Sequence, residues 1–484
     1  MKQLPDDTIV AISTPPGEGG IGIIRLSGPD TIRITDALFF SPRGTRISEV
    51  RSHTIHHGFI LEGSLGRRVD EVLVSVMRAP RTYTREDVVE INCHGGTVPL
   101  ARTLRLALDA GARLAEPGEF TRRAFLNGRI DLSQAEAVID VIRARTDRAE
   151  RLAMQQLEGR LSVRINELRE AVLDICAHVE ACIDFPEDDV PDLVQTELAV
   201  SCVRIARELG SLSRRYEEGR LYREGAIAAI VGKPNVGKSS LLNALLDSDR
   251  AIVTDLPGTT RDVIEEHLNI HGIPLRIMDT AGIRESHDLA EQEGVRRSLR
   301  AIEGSDIVIA VLDGSRRPDA ADKELIERIV GKKTLLVINK ADALISDLAL
   351  ADLGITAPAR ISDTAFPVTF ADGSTGQAIA VSAKSGLNIE ALKDCIKALL
   401  IPAEQLSAAS SRDDVLITNI RHKHALDSAA EAMERAHGSL RSRDPQEITA
   451  LSLREALDAL GEIVGILSTD NILDRIFSQF CIGK

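Results

Sequence analysis

Tryptophan is absent from the 484-residue chain and aromatic residues reach only 3%, which argues against a surface built to stack unpaired bases. Cysteine is sparse and scattered. Positions 93, 176, 182, 202, 395 and 481 include no C-x-x-C pair, so neither a zinc site nor a disulfide framework is expected. No apolar run reaches membrane-spanning length. The start, MKQLPDDTIV, has no basic segment leading into an apolar one, so no signal peptide is expected. An excess of positive charge is missing too. The formal net charge of −14 argues against a general nucleic-acid coat protein, yet leaves room for a local basic patch or a basic partner. These absences lead to the expectation of a cytoplasmic protein with reduced thiols.

What remains is an ordinary soluble composition, 43% hydrophobic and 27% charged. The chain is long enough for about three domains at roughly 150 residues each. Residues 1–120 alternate short apolar runs with turns. IGIIRLSG, VLVSVM and VVEINC read as strands and the stretch after HGG as a helix, giving a small α+β domain. From Phe120 the texture turns helical. Ser133 and Glu136 have capping-box spacing. Leu161, Ile165, Leu168, Val172, Ile175, Val179 and Cys182 form one helical stripe, and Leu453, Leu457, Leu460, Val464 and Leu467 another. Cys176 and Cys182 read as buried or half-buried helix residues. Cys93 and His94, adjacent in a strand, should face opposite ways and so not act as a metal pair.

Between the helical regions, residues 223–402 alternate strands (AIAAIVG, LRIMDT, DIVIAVLD, TLLVINK, AIAVSA) with helical segments, the signature of a doubly wound parallel sheet. Residues 343–378 read as a partly structured surface excursion. GKPNVGKSS lies between the first strand and SLLNALL, the context a phosphate-binding loop requires. Backbone N–H groups around Gly232–Gly237 would cradle phosphates, Lys238 would reach the β and γ groups, and Ser239 would offer a hydroxyl to Mg²⁺.

Three signals follow in order. PGTTRD supplies Thr260, a candidate Mg²⁺ ligand. DTAG supplies Asp279 and Gly282 for Mg²⁺ and the γ-phosphate. NKAD and SAK build a base pocket from Asn339, Lys340, Asp342, Ser382, Ala383 and Lys384, and Asp342 can accept two hydrogen bonds from a guanine edge. Val236, Ser240, Asp255, Pro257, Gly258, Thr280 and Ala281 complete the expected GTP contacts. After DTAG stands Ile283, which cannot orient a water. Glu285 is the nearest carboxylate, read equally well as a solvated glutamate. Asn235 offers an amide oxygen where a monovalent cation could take an arginine finger's role.

TPPGEGGIGIIRLSG, EDVVEINCHGG, EPGEFTRRAFLNGRIDLSQAEA and the terminal CIGK closely resemble the MnmE (TrmE) family of tRNA uridine-modifying GTPases, in order from Asp7 to Lys484. The resemblance implies a multidomain protein. An N-terminal α+β folate-binding and dimerisation domain would span 1–120, and a discontinuous α-helical domain 121–222 plus 403–484. An inserted Ras-like α/β P-loop GTPase domain would span 223–402. It further implies a homodimer that works with the flavoprotein MnmG in a heterotetrameric complex on substrate tRNA. GTP, Mg²⁺, K⁺ and a 5-formyl- or methylene-tetrahydrofolate would be used to modify carbon 5 of the wobble uridine.

By the same resemblance the K⁺ positions fall on Asn235, Thr254, Leu256 and Thr259, and the catalytic set on Lys238, Asn235 and the water-positioning Glu285. The folate positions fall on Arg25, Glu90, Arg129 and Lys484. A carboxylate such as Glu90 suits the amidine face of a pterin, and cations suit the folate glutamate tail. Arg25 also reads as a plain charged strand residue, and Glu90 as a half-buried strand carboxylate. Cys481 stands as a thiol near the modification chemistry or one kept for fit. Arg85 occupies a glycine position of the usual TGEDV, and Pro257 replaces an alanine of some relatives. Era-like ribosome-assembly GTPases share the G-domain signals but not the flanks.

Overall fold

The computed structural model describes residues 7–63, 66–184, 192–247, 266–278, 300–344, 350–357, 364–401, 415–467 and 469–484. The chain divides into two compact units. One comprises Met1–Ile142, Met154–Ala206 and Ser428–Lys484, the other Arg143–Ala153 and Arg207–Asp427.

The first unit carries a seven-stranded sheet in the order β3-β4-β5-β6-β2-β1-β7. Its strands are β1 (Ile9–Ile12), β2 (Gly19–Ser27), β3 (Phe39–Phe40), β4 (Thr54–Glu62), β5 (Arg67–Met77), β6 (Val88–Gly95) and β7 (Arg113–Leu114). Alternation sends Ile24, Leu26, Val72, Val74, Val76, Val89 and Ile91 into one core under the helices Thr31–Leu38 and Thr97–Asp109. On the other face Phe120, from the helix Glu119–Leu126, buries against Ile9, Ala11 and Ala115. Burying such a ring fully is worth about 2–3 kcal/mol.

The expected stripe is observed on the helix Arg160–Asp184, where Leu161, Ile165, Leu168, Val172, Ile175 and Val179 are buried. Cys176 is buried as well and Cys182 half-buried. This helix packs along Gln446–Val464. Leu467 departs from the second stripe. Gly465 at φ 85 ends the helix, leaving Leu467 beyond it and 48% exposed.

The expected capping box is also displaced. The helix Leu132–Arg143 is capped by Asp131, whose carboxylate accepts from Gln134 N at 3.0 Å while Gln134 Oε1 accepts from Asp131 N at 3.0 Å. Ser133 lies inside the first turn and donates to Asp131 Oδ1 at 2.8 Å. Asp131 takes the cap because Gln134 can reciprocate it.

The second unit holds a sheet in the order β13-β14-β12-β11-β8-β10-β9. These strands are β8 (Ala226–Val231), β9 (Glu266–Ile270), β10 (Ile273–Met278), β11 (Ile307–Asp313), β12 (Thr334–Asn339), β13 (Phe366–Thr369) and β14 (Thr375–Ala380). Adjacent pairs from β14 to β10 are parallel, with antiparallel β13 and β9 at the edges. β11 and β12 are almost entirely buried, as a sheet covered on both faces requires.

The stretch 343–378 is less of a surface excursion than its composition suggests. Among its described residues, Leu350, Leu353, Ile355, Phe366, Val368 and Phe370 are buried in one core cluster, and β13 closes an edge of the sheet. Among the described residues no helix is long and apolar enough to cross a membrane.

Candidate functional site

The second unit builds a nucleotide site at the carboxyl ends of its parallel strands, where α/β sheets place ligands. β8 runs into Gly232–Gly237 and then the helix Lys238–Asp247. Asn235 holds φ 64 and Gly237 φ 98, so the loop turns back and its amides are left to face a ligand. A β-carbon on Gly237 would stand 2.2 Å from Asn339 Nδ2. Only glycine fits there. Val236 is fully buried, whereas Asn235, Ser239 and Ser240 are exposed. The Lys238 ammonium donates to Gly232 O at 2.8 Å and Lys233 O at 2.9 Å, and burial pushes its pKa below the usual lysine range.

Asn339 ties the two halves of this site together. Its Nδ2 donates to Val236 O at 2.9 Å and its Oδ1 accepts from Ala383 N at 3.1 Å. Phosphate loop and base loop thus share one buried amide. Ser382 Oγ donates to Asp342 Oδ1 at 2.6 Å, and that bond, first among its causes, holds the Asp342 carboxyl below the usual range. Lys340, at φ 64, donates to Asp313 Oδ2 at 2.7 Å. Lys384 lies on the same base loop.

Lys233 was not singled out by sequence. It pairs with Asp319 at 2.5 Å and Asp322 at 2.7 Å, the two members of the capping box on the helix Ala320–Ile329. The D-x-x-D spacing was the available signal. Thr254, Asp255, Leu256, Pro257, Gly258, Thr259, Thr260, Asp279, Thr280, Ala281, Gly282 and Glu285 lie outside the described residues.

The first unit gathers a second cluster. Arg25 on β2 and Glu90 on β6 are direct cross-strand partners, and Arg25 Nε donates to Glu90 Oε1 at 2.8 Å while its Nη2 approaches the same oxygen at 2.7 Å. The pair is mostly buried, at 17% and 23% exposure. Arg25 Nη1 donates to Gly483 O at 3.2 Å, which brings the C-terminus into the cluster. The tail is anchored. Phe480 packs against Phe477 with centroids 5.6 Å apart, and a β-carbon on Gly483 would stand 2.6 Å from Ile12 O. Lys484 is half-buried, and desolvation, with Arg25 nearby, pushes its pKa down. Cys481 is exposed, with its carbonyl accepting from Gly118 N at 3.5 Å.

Arg129 joins through an aromatic residue that the sequence did not advertise. Its guanidinium lies 4.7 Å from the Tyr83 ring centroid, and that of Arg25 lies 6.0 Å from the same centroid. Tyr83 is fixed by its hydroxyl against Thr121 Oγ1 at 2.9 Å. Behind it, fully buried Arg123 binds Asp7 Oδ1 at 2.5 Å, Glu119 Oε1 at 3.0 Å and Glu86 Oε1 at 3.2 Å. Arg25, Glu90, Arg129 and Lys484 therefore meet on one surface. The chemistry there, one carboxylate side chain among three cationic side chains beside an aromatic ring, suits a ligand with a hydrogen-bonding ring and an anionic tail. Cys93 is buried, with its thiol pushed up to about 12 by desolvation, and His94 turns the other way to pair with Asp70 at 2.6 Å.

Comparison with known proteins matches residues 132–481 to the family model described as the MnmE helical domain, and residues 8–129 to the GTP-binding protein TrmE N-terminus. The chain is 46% identical over 479 residues to the tRNA modification GTPase MnmE of Bacillus subtilis (strain 168), covering 99% of this chain and 100% of that protein. It is 47% identical over 479 residues to the tRNA modification GTPase MnmE of Geobacillus kaustophilus (strain HTA426), covering 99% of each. Among solved structures, a variant of Aquifex aeolicus Era bound to GDP and AlF4⁻ is 22% identical over 43% of this chain and 67% of that one. Its TM-score of 0.24 adds nothing to the family match.

Proposed function

The chain belongs to the MnmE family of tRNA modification GTPases, and from that membership we propose that it modifies carbon 5 of the wobble uridine in partnership with the flavoprotein MnmG. The observation that supports this most is the pair of clusters described above, a guanine-type nucleotide site and an Arg25–Glu90–Lys484 site, in a chain matching MnmE over nearly its full length. In this reading residues 1–120 bind folate and dimerise, 121–222 with 403–484 form the helical domain, and 223–402 hydrolyse GTP.

On binding GTP, Lys238 exchanges its two carbonyls for the β and γ phosphates, losing little because both states satisfy its ammonium. Backbone amides from Asn235 to Ser239 would cradle the phosphates at the helix N-terminus, and Ser239 with Thr260 would hold Mg²⁺. The Asp342 oxygen not bonded to Ser382 would take the guanine edge. Asn235, Thr254, Leu256 and Thr259 would hold K⁺, which would supply the charge of an arginine finger, and Glu285 would orient the attacking water.

A tetrahydrofolate derivative, when bound, supplies the one-carbon unit. Glu90 pairs with the donor-rich pterin edge, and Arg129 and Lys484 face the tail. Exposed Cys481 lies two residues before Gly483, whose carbonyl accepts from Arg25.

The cation assignment is tested by hydrolysis rates in KCl and NaCl. Wild type is expected to be stimulated by K⁺ and not by Na⁺, and Asn235→Ala to lose that stimulation. An undiminished K⁺ response in Asn235→Ala would remove Asn235 from the site.

A further inference from the structure

Among the described residues, two guanidiniums at the second cluster have no acidic partner. Arg85 sits at φ 60, a conformation cheap for glycine or asparagine and unfavourable for a long side chain. Its Nη1 donates to Asn127 O at 2.9 Å, and Asn127 Nδ2 donates in return to Thr84 O at 2.6 Å. Arg129 Nη1 donates to Tyr83 O at 3.2 Å. The loops 83–85 and 127–129 are thus laced together, and each arginine is held by a carbonyl, which orients its charge without neutralising it. Among the described residues neither Arg85 nor Arg129 pairs with a carboxylate, although the chain carries 73 acidic against 59 basic residues. Buried Arg123 nearby, by contrast, binds three.

Both adjoin the Arg25–Glu90 pair by way of Tyr83. Arg25 holds Glu90, the guanidiniums of Arg25 and Arg129 both approach the Tyr83 ring, and Arg85 lies two residues on from Tyr83, its Nη1 3.5 Å from where a β-carbon of Gly128 would be. We propose that Arg129 and Arg85 form a carboxylate clamp for the γ-glutamyl tail of a folate, and that exposed Arg85 selects for tails of more than one glutamate. The proposal rests on the folate reading above. Each further γ-linked glutamate adds one carboxylate, and a guanidinium offers paired N–H groups that match it. An RNA phosphate is the other anion that could dock here. Two cations are few for an RNA footprint, whose affinity grows from neutralising several phosphates.

The test is binding of 5-formyltetrahydrofolate carrying one or three glutamates to the full-length protein. Wild type is expected to bind the triglutamate about three- to fivefold more tightly at low salt, the scale of an exposed ion pair. Arg85→Asn keeps a residue suited to the left-handed turn and removes the charge. It should bring the ratio to about one, with monoglutamate binding nearly unchanged. Arg85→Lys should retain most of the preference. A ratio unchanged in Arg85→Asn overturns the proposal, and an unchanged ratio with weakened tRNA binding reassigns the pair to RNA phosphate. If wild type binds neither folate, the folate reading itself falls, a result distinct from either.

Discussion

Asn339 shows how much one side chain can organise. A single buried amide bonds the carbonyl of Val236 on one side and the amide of Ala383 on the other, so those two loops are fixed relative to each other. Gly237→Ala would drive a β-carbon into Asn339 Nδ2, against a left-handed φ of 98. Losing that bond and straining the loop should cost about 1–3 kcal/mol, or roughly five- to 150-fold in GDP affinity by fluorescence titration. The described part of the candidate nucleotide site could be picked out in the sequence because GKPNVGKSS, NKAD and SAK are each contiguous and each follow a strand. The second cluster was not legible from spacing. Arg25 and Glu90 meet only through the register of β2 on β6, and Tyr83 and Gly483 arrive from distant turns. The family resemblance pointed to four of its residues and missed the ring between them.

Among elements, the network around Arg123 decides how the helix Glu119–Leu126 is held on the N-terminal sheet. Arg113 and Arg123 share Asp7 and Glu119. Burial would raise the Glu119 carboxyl, but the Arg113 hydrogen bond, the Glu116 amide and Arg123 outweigh it and hold it below the ordinary 4.5. For Asp7, burial is likewise outweighed by Arg113 and Arg123. Folded pKa values below the unfolded ones mean stability that is complete at neutral pH and is lost as pH falls below the ordinary 4.5 and 3.8. Arg123→Met should cost about 3–5 kcal/mol by stranding buried carboxylates. It should also flatten this acid limb, both read from hydrogen exchange at β1 and β7. Asp131→Ala should destabilise the start of the helix Leu132–Arg143 by about 1 kcal/mol and speed exchange in its first turn, whereas Ser133→Ala should not remove the cap. Here the sequence was legible to within two residues. Asp and Ser both suit a cap, and only the reciprocal bond from Gln134 separates them. The C-terminal stripe overran in the same way, because hydrophobic periodicity does not register Gly465 in a left-handed cap.

At the scale of the whole chain, the two sheets differ as their sequences do. IGIIRLSG alternates buried Ile24 and Leu26 with half-buried Ile23 and Arg25, and the continuous apolar runs of DIVIAVLD and TLLVINK give strands covered on both faces. Edge strands were the part composition concealed. β9 and β13, the edges of the second sheet, carry polar or irregular stretches, and β13 emerges from a segment rich in alanine, aspartate, proline and glycine. The joining of GTP hydrolysis to tRNA modification is tested by mass spectrometry of tRNA nucleosides from cells lacking this protein. There 5-substituted wobble uridines are expected to disappear, to return with the wild-type chain, and not to return with Lys238→Ala. An unchanged nucleoside profile in the cells without the protein would contradict that joining.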